Sequence, residues 1–182
     1  QYLEILLLPV NALTEEHYNE ARASARRFRE IYEKEIETLN ANPDLRMTPR
    51  WYKPVTTAFR KMRWHKSVER RYELQAQSKF HPAEIHVVKV GDIAFASNPF
   101  EYYLDFGIQI KVRSPALQTF IIQLAGEGTY VPSPRSVLGG GYGSVPATNP
   151  VGPEGGQMLA NETVSLLRKV FRSVATQRDP VV

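Results

Sequence analysis

At 182 residues, 42% hydrophobic and 23% charged, the chain has the composition of one soluble globular domain. It contains no cysteine, which excludes disulfides and thiolate metal centres, and no apolar run near the roughly 18 residues of a membrane-spanning helix. The net charge of +4 is unevenly placed: nine Lys/Arg lie between Arg46 and Arg71, against one acid, Glu69.

The chain opens with YLEILLLP (2–9), a short apolar run read as a buried strand. The start lacks a basic n-region, a small-residue cleavage site and an initiator Met, so the expectation is a chain beginning inside a longer polypeptide. Thr14 is placed to cap a long helix, with Glu15 and Glu16 where the helix dipole favours negative charge. Ala21, Ala25, Phe28, Tyr32, Ile36 and Leu39 keep helical spacing, and Asn42-Pro43 ends the segment.

A second helix is expected over about 55–77. Its basic part, 46–71, interleaves cations with Trp51, Tyr52, Phe59 and Trp64. It reads first as a solvated face with inward aromatics; the alternative is a non-catalytic binding module for an anionic partner, a nucleic acid or a membrane surface. Ile85, Val87 and Val90, then Ile93, Phe95 and Ser97, predict two strands turned at Gly91-Asp92. Asn98, Pro99 and Glu101 have helix-start chemistry for a helix running to about Arg113. The run 117–125, LQTFIIQLA, is expected to be a strand buried on both faces at the centre of a sheet. Residues 126–156 read as a long Gly/Pro-rich loop, and a last helix starts near Pro153-Glu154. Strands alternating with helices predict an α/β layered sheet with flanking helices, including long N- and C-terminal ones.

Several familiar sites are absent. The chain has no G-x-S-x-G elbow, no P-loop and no H-E-x-x-H. Its four histidines, 17, 65, 81 and 86, are scattered, and GGGYG (139–143) reads as flexibility. Asn161-Glu162-Thr163 matches a glycosylation sequon on the last helix. Two residues remain. Glu101 is either a capping-box glutamate reaching back to the Asn98 N–H, or a carboxylate at the C-terminal end of a strand, where open α/β sheets place ligands. Tyr130, in AGEGTYVPSP, follows the next strand and could converge with Glu101 on one sheet edge.

GDIAFASNPFEYYLDFGIQIKVRSP, then TFIIQLAGEGTYVPS, then GGGYGSVPATNPVGPEGGQMLANETVSLL, resemble in order the later part of the neutral/alkaline ceramidase-like hydrolases. The resemblance covers roughly residues 84–172. It implies zinc-dependent hydrolysis of an N-acyl, sphingolipid-like amide. Glu101 of the P-x-E block and Tyr130 would be zinc ligands, and Tyr130 would also be catalytic, stabilising the oxyanion. The family's two histidine ligands come from an earlier segment, so the implied partners are the N-terminal segment of the same polypeptide, a lipid-like substrate and an anionic membrane surface; nucleic acid is not favoured. Secretion or a periplasmic location is implied too. The chain departs from the family pattern at Gly126, where an asparagine is usual, and at Gly143, where a glutamate is usual. Residues 1–182 are accordingly expected to be a single domain or the C-terminal portion of a larger catalytic domain, or else a diverged homologue that has lost catalysis.

Overall fold

The computed structural model describes residues 1–145 and 149–175, with side chains through residue 172. The chain forms two compact units: residues 1–11 with the chain from Ser78 onward, and Ala12–Gln77.

The first unit is α/β. Strand β1 (Tyr2–Pro9) pairs antiparallel with β2 (Phe80–Val90), and β2 pairs antiparallel with β3 (Ile93–Ser97). The β2–β3 turn is the expected Gly91-Asp92 pair, with Gly91 at φ +60°, where a side chain would be strained. Helix α3 (Leu104–Arg113) then crosses over to β5 (Gln118–Ile122), which joins β3 in parallel. The sheet order is β1-β2-β3-β5. The long helix α5 (Pro153–Ala175) and α3 cover one face. There Leu6, Leu8, Ile85, Val87 and Ala96 meet Phe106, Ile110, Leu159, Val164 and Leu167 in one core.

Two expectations about strands are corrected. β5 is an edge strand, and β1, at the opposite edge, is buried on one face only, through Leu6 and Leu8. On the face away from the helices Leu3, Ile5, Leu7, Phe120 and Ile122 are exposed. A continuous apolar run marks a strand with two apolar faces, but it cannot say whether both are covered.

The second unit is an antiparallel helical hairpin of α1 (Glu15–Ala41) and α2 (Lys53–Leu74). The Thr14 side chain accepts from the His17 N–H, while His17 Nδ1 accepts from the Thr14 N–H, so His17 completes the capping box. The expected stripe meets α2 through Phe28 on His65 and Tyr32 on Phe59, and Tyr18, outside that stripe, extends the ladder of rings by stacking on Tyr72. Ala21, Ala25, Ala58, Met62 and Val68 are buried between the helices. The Gln75 side-chain amide closes the hairpin's open end, accepting from the Leu13 N–H at 2.9 Å and donating to its carbonyl at 3.0 Å.

His65 gives the hairpin a pH dependence. Its ring lies nearly parallel to Phe28, at 5.7 Å. Burial first, then Arg27 and Lys61, lower its pKa, with Glu69 opposing them. An unfolded histidine therefore binds a proton more readily than the folded one, and stability falls as pH drops below the ordinary histidine value of about 6.5. Denaturation midpoints should be lower at about pH 5 than at about pH 7. His65→Gln should remove part of that slope; an unchanged slope would assign it elsewhere.

Candidate functional site

The segment after β3 does not begin a helix. The Asn98 side-chain Oδ1 accepts from the Phe100 N–H at 3.0 Å, a turn that short polar side chains favour over helix. The Asn98 N–H donates to the Ile122 carbonyl at 2.9 Å, so it is not capped by Glu101. Helix α3 starts only at Leu104, three residues after the glutamate. The capping-box reading of Glu101 is thereby overturned: its target is taken, and the local backbone is extended.

What replaces the cap is a two-stranded parallel ribbon, β4 (Glu101–Tyr102) with β6 (Tyr130–Val131). The chains leaving β3 and β5 stay side by side. Ala125 N–H donates to Asn98 O, Glu101 N–H to Thr129 O at 3.0 Å, and Tyr103 N–H to Val131 O. Glu101 and Tyr130 are register partners in this ribbon. The structure thus brings the two singled-out residues together beyond the ends of two neighbouring parallel strands.

Glu101 is exposed and Tyr130 half-buried. The Tyr130 phenol hydrogen-bonds to the Glu101 carboxylate, and this bond, with the carboxylate's charge, raises the phenol's pKa above the ordinary tyrosine value. Tyr130 accordingly keeps its proton and acts as a donor across the neutral range. Beneath the pair, the next residue is anchored. Tyr102 is buried, stacks on Phe106 at 4.7 Å, and donates to the Gly156 carbonyl at 2.5 Å; burial raises its pKa.

Two more tyrosines flank Tyr130 edge to face: Tyr103 at 6.3 Å and Tyr142 at 5.7 Å between ring centroids. The Tyr103 hydroxyl donates to the Tyr142 carbonyl, tying the two flanks together. Gly143 sits against the Tyr130 ring at φ +79°; an added Cβ would lie 2.7 Å from ring carbon Cγ. GGGYG therefore does more than supply flexibility. Glycine at 143 is what lets the backbone approach the ring, and a glycine beside an aromatic was the available signal. The segment 126–156 carries β6 and a short helix α4 (Pro134–Leu138), with residues 146–148 outside the described ones.

The histidines do not join this site. His17 caps α1, and His65 stacks within the hairpin. His81 and His86 share β2 at odd separation and so face opposite sides of the sheet; His86 Nε2 lies 2.7 Å from Glu84. Among the described residues no group of three or more His, Asp or Glu is placed to hold a metal. The site offers two oxygen donors, the Glu101 carboxylate and the Tyr130 phenol, which suit a hard or borderline cation as part of a larger ligand set. The sequon lies within α5: Thr163 is buried, and Asn161 accepts from Arg113 at 2.8 Å.

The fold is α/β, with the candidate site at the ends of its parallel strands. Comparison with known proteins returned no matching family model, no matching curated protein and no matching solved structure.

Proposed function

We propose that this chain is one part of a zinc-dependent amide hydrolase of the ceramidase-like type, acting on an N-acyl, sphingolipid-like substrate. The observation that carries the reading is the hydrogen-bonded Glu101–Tyr130 register pair: the two positions that the family resemblance marks as ligands are far apart in sequence and adjacent in space. Glu101 would be a carboxylate ligand to the zinc and Tyr130 a second, oxygen ligand, with histidines supplied by a preceding segment of the same polypeptide. The chemistry such a zinc supplies when bound is polarisation of the amide carbonyl and a water made acidic near neutral pH.

The chain's own residues have distinct tasks. The Glu101 carboxylate brings a negative charge and accepts a hydrogen bond from the Tyr130 phenol; the Tyr130 O–H, which keeps its proton, can donate to a carbonyl oxygen on which negative charge develops. Tyr103, Tyr142 and Gly143 fix the ring that carries this hydroxyl. An anionic membrane surface and a secreted or periplasmic location belong to the same proposal.

The test uses the full-length protein, with metal analysis and fatty-acid release from an N-acyl lipid. Glu101→Gln is expected to lose both zinc and hydrolysis. Tyr130→Phe keeps the ring and should lower turnover on the order of a hundredfold, the effect of removing one donor to a developing oxyanion. A Glu101→Gln protein retaining both zinc and activity would refute the assignment.

A further inference from the structure

The hairpin holds a second candidate site, and one that owes nothing to the hydrolase reading. Arg22, Arg26 and Arg29 lie at i, i+4 and i+7 on α1, on one face of the helix. Across from them α2 contributes Lys66 and Glu69. With buried Ala25 these five side chains line a groove of about 190 Å³. The alanine forms a shallow floor between longer neighbours. The space is that of roughly six waters, enough for one phosphate group with its hydration.

The charges in the groove are not balanced from within. Four cations face a single acid, and among the described residues no ion pair is formed by any of the four. Stacking Arg22 on Arg26, and Arg26 on Arg29, places like charges at helical neighbour spacing, which costs an isolated helix about 0.2–0.5 kcal/mol per pair. The rest of the hairpin shows a different use of basic residues: Arg27 and Lys61 lie over the Phe28 ring, and Arg63 over Phe59. Of the aromatics of the basic segment, Phe59 packs on Tyr32 across the hairpin and Trp64 on its neighbour His65, while Trp51 and Tyr52 meet each other edge to face. Arg22, Arg26, Arg29 and Lys66 thus share one groove with a single acid. Guanidinium forks suit phosphate oxygens, which accept several charge-assisted bonds at once.

We infer that the groove between α1 and α2 binds a phosphate group, with Arg22, Arg26, Arg29 and Lys66 as its donors and Glu69 as the charge that tempers it. A soluble phosphomonoester and a lipid phosphate headgroup present the same chemistry, and the experiment separates them. The full chain is titrated with inorganic phosphate, followed by amide resonances, and with phosphatidylcholine vesicles with and without phosphatidic acid.

Inorganic phosphate should shift resonances of residues 22–29 and 66 saturably, with an affinity that falls as salt rises. Arg26→Gln and, separately, Arg22→Gln should each weaken binding about fivefold, as expected for one charge-assisted contact at an exposed site. Glu69→Gln should tighten it about threefold, an increase that a merely structural change would not produce. Arg168→Gln on α5 should change nothing. Vesicle binding that requires phosphatidic acid and is weakened by Arg26→Gln identifies a headgroup; phosphate binding with no vesicle binding identifies a soluble ligand. The inference is overturned if phosphate gives no saturable shift. It is also overturned if Arg22→Gln and Arg26→Gln both leave binding intact while Arg60→Gln or Arg63→Gln abolishes it. An affinity for a single-stranded oligonucleotide alone, indifferent to Arg26→Gln, would overturn it too.

Discussion

Gly128→Ala is expected to destabilise the α/β unit by about 3 kcal/mol, the upper part of the range for overpacking. A Cβ at this position would stand 1.9 Å from the Pro99 carbonyl oxygen, 2.5 Å from its carbon and 2.9 Å from Phe100 Cα. All three are backbone atoms, so no side-chain rotation relieves the clash. The run after β3 and the run after β5 would have to separate, at the place where Glu101 N–H bonds to Thr129 O. The substitution should therefore lower the denaturation midpoint and also disperse the Glu101–Tyr130 pair, visible as a return of the Tyr130 phenol toward the ordinary tyrosine pKa. Gly107→Ala is the contrasting control. Nothing lies within 4 Å of its added Cβ, and alanine in a helix interior is favoured over glycine by about 1 kcal/mol. If both substitutions proved harmless, the close approach of the two runs would be wrong.

Phe106→Ala should cost about 3–5 kcal/mol, as large-to-small changes of buried aromatic rings do. The ring is fully buried, stacks on Tyr102, and its tip faces Gly156, where an added Cβ would lie 2.6 Å away. Small single domains have roughly 5–15 kcal/mol of stability in all, so the variant would be close to unfolding at ambient temperature. Phe106→Leu, which refills most of the volume, should recover much of the loss. Thermal unfolding of the two variants checks the prediction, and equal melting temperatures for wild type and Phe106→Ala would contradict it. The consequence reaches the site, because Tyr102 lies between Glu101 and Tyr103 in the chain.

Much of the architecture was legible in residue patterns. The α1 cap at Thr14, its end at Asn42-Pro43, the turn at Gly91-Asp92 and the start of α5 at Pro153 are set by local chemistry: a hydroxyl for an orphan N–H, a ring without a donor, a glycine free to take positive φ. Apolar spacing likewise located β1, β2, β3 and β5, because their alternation is a property of the backbone, while β4 and β6 fell in an expected helix and an expected loop. The start of α3 was misplaced for a related reason. Asn98 can cap a helix or close a short turn with the same oxygen, and only a distant acceptor, Ile122 O, decides which.

The candidate site divides in the same way. Glu101 and Tyr130 stood out in the sequence because each polar group follows a strand, and strand ends in open α/β sheets are where ligands gather. Tyr103, Tyr142 and the tight seat at Gly143 did not, since their meaning is a set of contacts between residues up to 39 apart. The phosphate groove has the same character. Three arginines on one helix face are visible in the sequence, but Lys66 joins them only when two helices pack antiparallel through a ladder of rings. Sequence alone determined the three long helices, the four strands of the main sheet, the α1 cap, the β2–β3 turn and the two residues worth following. Tertiary structure decided that β1 and β5 are edges, that Glu101 faces Tyr130 instead of capping a helix, and which cations share a groove. The physical reason is that caps, turns and periodicity depend on neighbours along the chain, whereas sheet order, register and convergent charge depend on contacts that no local pattern encodes.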